Sequence, residues 1–178
     1  MSKFHDSAAT TTPTPTRGNR PLLGLRRQPG RLALVVLRAP LPLYRAGLGR
    51  LLGDTFLLIT HLGRRTGTPH ATTAMVLHHD RATGESVICA AWGPGADWVR
   101  NIRAHPAIQV QTAGDSYPPQ QRFLRDDEAF AMAAEFRRRH PWRLRLMTRV
   151  LGWGDLRSDV ALRDFIHTHP FVAFRPAV

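Results

Sequence analysis

From Asp54 to Trp92 the chain is built of short runs of β-branched and apolar residues separated by breaks rich in glycine. Residues 55–62 form one run, residues 63–68 break it, and residues 69–79 form the second. Residues 80–84 are the next break, and residues 85–92 the third run. Runs of this length and composition read as strands. Their connections are too short for a parallel crossover, which needs a dozen or more residues, so neighbours must be antiparallel. The pattern predicts a three-stranded meander.

The punctuation beyond it is equally regular. Gly93-Pro94-Gly95 ends the meander. Residues 97–105 predict a short helix with Asp97 in its first turn and Pro106 as its stop. Residues 107–112 alternate as a fourth strand, and Gly114-Asp115 is a hairpin turn. Residues 116–125 predict a fifth strand, which Pro118-Pro119 places at a sheet edge or a bulge. Asp126, Asp127 and Glu128 open a helix that Arg137, Arg138 and Arg139 close, an order that complements the helix dipole at both ends. Further helices are predicted over 142–151 and 158–167, and a last strand over 171–174. Strands with interspersed helices give an α+β domain, or a barrel with helical insertions.

The chain of 178 residues carries a net charge of +12, unevenly placed. Residues 1–53 hold nine Lys/Arg against the single acid Asp6. Residues 1–30, rich in Thr, Pro and Gly, predict a disordered tail that cannot bury enough apolar surface to offset its ordering entropy. Residues 31–53 interleave leucines with arginines and predict a basic amphipathic helical segment, broken at Pro40 and Pro42. It packs on the domain, touches a membrane surface, or meets a partner helix or nucleic acid, in that order of expectation. Residues 54–178 are left as the folded domain. Because most of the basic excess lies outside that domain, nucleic acid is not expected as a partner.

Other classes are excluded by what the residues lack. No apolar run approaches the roughly 20 residues of a membrane span. The one cysteine, Cys89, rules out an internal disulfide and a Cys-based zinc site, and it reads as a small core residue. No histidine and carboxylate set has ligand spacing, so no metal is expected. No Gly-x-Ser-x-Gly elbow or Cys–His pair suggests hydrolysis. The first 30 residues lack a secretory apolar stretch, which makes a cytoplasmic protein the expectation.

Two segments carry candidate chemistry. Gly63-Arg64-Arg65-Thr66-Gly67 places two guanidinium groups and a hydroxyl between glycines, in the turn joining two strands. Such a turn can aim backbone N–H groups and arginine forks at one phosphate. It can also be a basic surface turn. Trp92-Gly93-Pro94-Gly95-Ala96-Asp97-Trp98 brings a glycine-rich loop into a helix entrance between two tryptophans. A flat heterocycle could stack there, or both tryptophans could be core. No acid–base group is evident, so no catalytic side chain is assigned. That suits a protein whose cofactor brings the chemistry.

In this order and spacing the motifs resemble the deazaflavin (F420)-dependent nitroreductase family, within the flavin and deazaflavin oxidoreductases that fold as split β-barrels. The likeness runs through Leu57-Leu58-Ile59-Thr60, Gly63-Arg64-Arg65-Thr66-Gly67, Met75-Val76-Leu77, Ala90-Ala91-Trp92-Gly93, residues 97–106 and Phe171-Val172-Ala173-Phe174-Arg175-Pro176. It implies a split barrel of about six mostly antiparallel strands with peripheral helices. It implies coenzyme F420, with FMN as the alternative. Arg64, Arg65 and Thr66, beside Gly67 and His70, would hold the phosphate. Ala74 and Met75 would lie under the ring. Ala91, Trp92 and Gly93 would meet the tail or ring edge, and Asp97, Trp98 and Asn101 would wall the ring. His70 stands where the family usually has Arg, and Ala74 where it usually has Pro. The implied activity is hydride transfer between the coenzyme and a small conjugated acceptor: a quinone, an enone or a nitro compound. The alternative is a non-catalytic carrier of F420, flavin, haem or a hydrophobic ligand. Either a monomer or a homodimer is expected.

Overall fold

The computed structural model describes Tyr44, Ala46, residues 48–112 and residues 115–177. The expected tail over 1–30, most of the amphipathic segment before residue 48 and the turn at Gly114 lie outside these residues. A 3-10 segment, Gly49–Thr55, leads into β1 (Phe56–Leu62), β2 (Pro69–His79) and β3 (Ser86–Cys89). Then follow α1 (Asp97–Ala104), β4 (Gln109–Thr112), β5 (Asp115–Tyr117) and β6 (Pro119–Phe123). Helices α2 (Asp126–Arg139), α3 (Pro141–Leu151) and α4 (Asp159–Thr168) precede the last strand, β7 (Phe171–Pro176).

The meander forms as the punctuation requires. β1 pairs antiparallel with β2, from Phe56 opposite Met75 to Leu62 opposite Pro69, and β2 pairs with β3 across an irregularity between Val76 and His78. The predicted fifth strand over 116–125 is instead two strands, β5 and β6, separated by Pro118. This raises the expected six strands to seven, and it has a topological cause. The sheet order is β5-β4-β1-β2-β3-β7-β6, so the two edge strands are successive in the chain. Laid flat, seven strands would hold their edges roughly 29 Å apart. Tyr117 and Pro119 are joined through one residue, which spans at most about 7 Å. The sheet must therefore curl until its edges meet at Pro118. Proline has no N–H for a ladder, so it suits a point where the chain leaves one sheet edge for the other. All strand pairs are antiparallel, and the result is a split β-barrel with helices against it.

Period-two alternation fills the barrel. Leu57 and Ile59 of β1, Ile88 of β3, Val110 of β4, and Val172 and Phe174 of β7 are fully buried in one cluster. α1 closes an end of it with Trp98, Val99 and Ile102. The turns that place α1 are pinned by Gln121, whose Oε1 accepts from Ala107 N and whose Nε2 donates to Ile102 O, both at 2.8 Å. On the outer face, Val87, Phe171 and Ala173 pack against α2, α3 and α4 through Ala133, Phe136, Leu144, Leu162 and Phe165. β7 is thus covered on both faces, which explains its nearly continuous apolar sequence.

Gly93 marks a close approach. Its φ is +68°, and a Cβ there would lie 2.8 Å from the Thr168 carbonyl oxygen at the end of α4. Gly93→Ala must adopt a left-handed backbone and displace that carbonyl. We expect it to lower unfolding free energy by about 1–3 kcal/mol, read by denaturant titration. A variant as stable as the parent would mean that the loop and α4 are not held together as described.

Candidate functional site

Two cavities adjoin along β2. The first, of about 380 Å³, is polar and open to solvent, and it lies between the β1–β2 hairpin and α1. Its lining includes His61, Arg64, Arg65, Thr66, His70, Thr72, Asp97, Trp98 and Asn101. The second, of about 390 Å³, is apolar, between β2, the end of β3 and α3. Ala74, Met75, Cys89, Ala91, Trp92, Leu146, Val150 and Trp153 are among the residues around it. Thr72 and Trp98 line both, so the two cavities are neighbours that share these two residues.

The hairpin owes its shape to its glycines. A Cβ on Gly63 would lie 2.7 Å from Thr66 Oγ1 and 3.1 Å from His70 Nε2, and Gly67 has φ +66°. Gly63 N donates to Thr68 O and Gly67 N to Gly63 O, each at 2.8 Å, while Thr68 N donates to Thr66 Oγ1. The amides of Arg65 and Thr66 have no partner among the described residues, leaving two adjacent N–H donors at the turn. The Arg65 guanidinium is exposed and without a carboxylate partner among the described residues. Two free amides, a free guanidinium and the His70 ring suit a phosphate.

Arg64 is different. Its Nη1 lies 3.1 Å from Asp97 Oδ1, and both its backbone N and Nη1 donate to Asn101 Oδ1 at 3.1 Å. Asp97 is 81% exposed, so the ion pair is worth at most about 1 kcal/mol. The bonds to Asn101, which is 4% exposed, are the ones that tie the hairpin to α1.

Asn101 leads to a residue that sequence reasoning missed. Its Nδ2 donates to His61 Nδ1 at 3.2 Å, and His61 Nε2 lies 3.1 Å from Thr72 Oγ1. Because Asn101 Oδ1 accepts from Arg64, its amide must donate to His61 Nδ1. The His61 proton therefore sits on Nε2 and is donated to Thr72 Oγ1. The Thr72 hydroxyl hydrogen then has no acceptor among the described residues, and Thr72 lines both cavities. His61 is 3% exposed. Burial, and then the nearby His70, push its pKa down to about 4. The signal was present in the strand period. His61 follows Leu57 and Ile59 at the same spacing, on the inward face of β1.

A folded-state pKa below the unfolded value means that only the unfolded chain takes up a proton between about pH 6.5 and 4. Stability from this group is complete above pH 6.5 and falls as pH drops toward 4, by up to roughly 3 kcal/mol. His61→Gln keeps an acceptor for Asn101 and a donor for Thr72 but does not titrate. Its denaturation midpoint should vary less over that interval than the parent's. Equal slopes would contradict a buried neutral imidazole.

The apolar cavity has two fixed sides. Trp153 Nε1 donates to Ala91 O at 2.9 Å, which holds the segment after α3 against the end of β3. Among the described residues Cys89 is the only ionisable one lining it, and burial pushes that thiol up, away from the thiolate. Trp92 Nε1 is a buried donor with no partner among the described residues. A ligand acceptor at this wall would satisfy it, so the donor set fits a polar heterocycle edge as well as an apolar face.

The expected site residues divide accordingly. Arg64, Arg65, Thr66, His70, Asp97, Trp98 and Asn101 come to the polar cavity, and Ala74, Met75, Ala91, Trp92 and Trp98 to the apolar one. Gly67 and Gly93 line neither. Gly67 shapes the hairpin, and Gly93 packs against Thr168 rather than facing a ligand.

Residues 43–145, more than half of the chain, match the family described as F420H(2)-dependent quinone reductase. No curated protein matches the chain. Among solved structures, an F420-H2 dependent reductase, FDR-A, is 18% identical with a TM-score of 0.45, covering 67% of this chain and 93% of that one. A structure described as a domain-swapped dimer is 17% identical with a TM-score of 0.46, covering 76% and 99%. A pyridoxamine 5'-phosphate oxidase-related, FMN-binding protein from Nostoc punctiforme PCC 73102 is 12% identical with a TM-score of 0.46, covering 85% and 83%.

Proposed function

The chain belongs to the F420H(2)-dependent quinone reductase family, and from that premise we propose that its two adjoining cavities form one site for coenzyme F420 and a small conjugated acceptor. The observation that carries the reading is that a basic cavity and an apolar one lie side by side and share Thr72 and Trp98 in their linings. An elongated molecule with a phosphate at one end and a flat ring at the other matches that sequence of surroundings.

In this reading Arg65, His70 and the amides of Arg65 and Thr66 hold the phosphate. Asn101 and Arg64 keep the hairpin in place. Thr72 offers a hydroxyl donor at the junction, oriented by His61. Trp92, Trp98, Ala74 and Met75 form the walls for the ring, and the side chains of α3 keep water from it. Bound F420H2 supplies a low-potential hydride. The protein contributes placement, worth several kcal/mol of barrier through proximity alone. Among the described residues Cys89 is the one ionisable group in the apolar cavity, so none of these side chains is an acid–base catalyst at neutral pH. The proton needed by a reduced quinone or enone then comes from a hydroxyl or an ordered water.

The test is a hydride-transfer assay with the purified chain, F420H2 and a panel of quinones, enones and nitro compounds. Turnover of at least one class is expected, with Trp92→Ala slowing it more than any change at Cys89. Tight F420 binding with no turnover across the panel would make the protein a carrier.

A further inference from the structure

Most of the outer face of α3 answers to nothing in that reading. Trp142, Arg145, Leu146 and Arg149 follow the i, i+3, i+4, i+7 spacing of one helix face, and all four are exposed. Trp142 is 63% exposed and Leu146 55%. The helix contains no acidic residue. Arg143, Arg145 and Arg149 have no carboxylate partner among the described residues, and Arg143 lies 5.5 Å from the Trp142 ring centroid. A groove of about 590 Å³ runs along this face. Its other arginines, Arg137 and Arg157, are paired with Asp159 and Asp155. Leu146 belongs both to this groove and to the rim of the apolar cavity.

We infer that this face of α3 docks on an anionic lipid bilayer. Unpaired arginines alone would suit any polyanion. Exposed Trp and Leu between them cost free energy in water and are favoured at a membrane interface, where an indole sits at headgroup depth and arginines reach the phosphates. Charge opposes the other occupants. The chain's own first 53 residues carry nine Lys/Arg and one acid, and a second copy would present the same basic face. The lipid surface would then lie against Leu146, so that a lipophilic ligand could pass from the bilayer into the apolar cavity. Only that last step rests on the reductase reading. Among the described residues no helix is long and apolar enough to cross a membrane, and the contact proposed is that of α3 lying on the surface.

The test uses the full chain and phosphatidylcholine vesicles with and without phosphatidylglycerol, read by co-sedimentation. Binding is expected to need the anionic lipid and to weaken with salt. Trp142→Ser with Leu146→Ser leaves the net charge at +12 and should lower partitioning at least about tenfold. Because both side chains are exposed, the melting temperature should not change. Arg145→Gln with Arg149→Gln should also weaken binding and flatten its salt dependence. Undiminished binding by the Trp142/Leu146 variant would overturn the proposal and place the contact in the basic N-terminal region. Duplex DNA that displaces the chain from vesicles, and binds in a way equally sensitive to Trp142 and Leu146, would overturn it in favour of a general polyanion surface.

Discussion

Replacing Arg64 and Arg65 together with alanine should weaken F420 binding by about 2–5 kcal/mol, since a hydrogen bond to a charged group is worth roughly 1.5–3 kcal/mol. The two arginines should fail for different reasons. Arg65 is exposed and unpaired among the described residues, beside two free amides. Arg65→Ala alone should cost binding about 1.5–3 kcal/mol while leaving the unfolding midpoint where it was. Arg64 already holds Asp97 and Asn101, so its loss should loosen the hairpin and affect binding through position. Fluorescence titration of each single variant separates the two contributions. An unchanged dissociation constant in the double variant would reduce the hairpin to a basic surface turn.

Asn101→Leu should be the most damaging single change to the polar site. The side chains are close in volume, so no large cavity results. What disappears is the acceptor for two Arg64 donors and the donor to His61 Nδ1. A buried imidazole nitrogen and a part-buried amide are left without partners, at about 1–3 kcal/mol each. We expect a loss of roughly 2–5 kcal/mol in unfolding free energy, together with weakened F420 binding. Asn101→Asp should behave differently. It preserves an acceptor for Arg64 but turns an anionic oxygen toward His61, drawing a second proton onto the ring. The fall in stability below pH 6.5 should then shrink. If both variants matched the parent in denaturant and in pH profile, the Arg64–Asn101–His61–Thr72 chain would have no energetic role.

Local signals were legible in the sequence wherever backbone chemistry is local. The meander, the short helix entered at Asp97 and the charge-ordered helix from Asp126 to Arg139 all follow from turn residues and end charges. The break at Pro118 was visible as a proline pair, but not as the crossing between sheet edges. That role depends on where β4 and β7 lie, far away in sequence. The site was half legible. Arginines, glycines and tryptophans are rare enough in such groupings to stand out. His61 is the one ionisable residue of β1 and Thr72 one of two adjacent threonines in β2, and only the inward phase of β1 gives His61 away. The wall contributed by Leu146, Met147, Val150 and Trp153 was hidden for a further reason. α3 read as a peripheral helix because the bond that holds the segment after it, from Trp153 to Ala91, spans 62 residues and leaves no periodic mark.

The unity of the two cavities is tested most directly by titrating the full chain with F420 beside FMN, following both tryptophan fluorescence and binding of the coenzyme. Because Trp92 and Trp98 border the apolar cavity while Arg65 borders the polar one, F420 bound across both should quench tryptophan saturably. The same saturation curve should move to higher concentration in Arg65→Ala, and FMN should bind more weakly. Saturable quenching that is indifferent to Arg65, or no binding of F420 at all, would contradict a single site spanning both cavities.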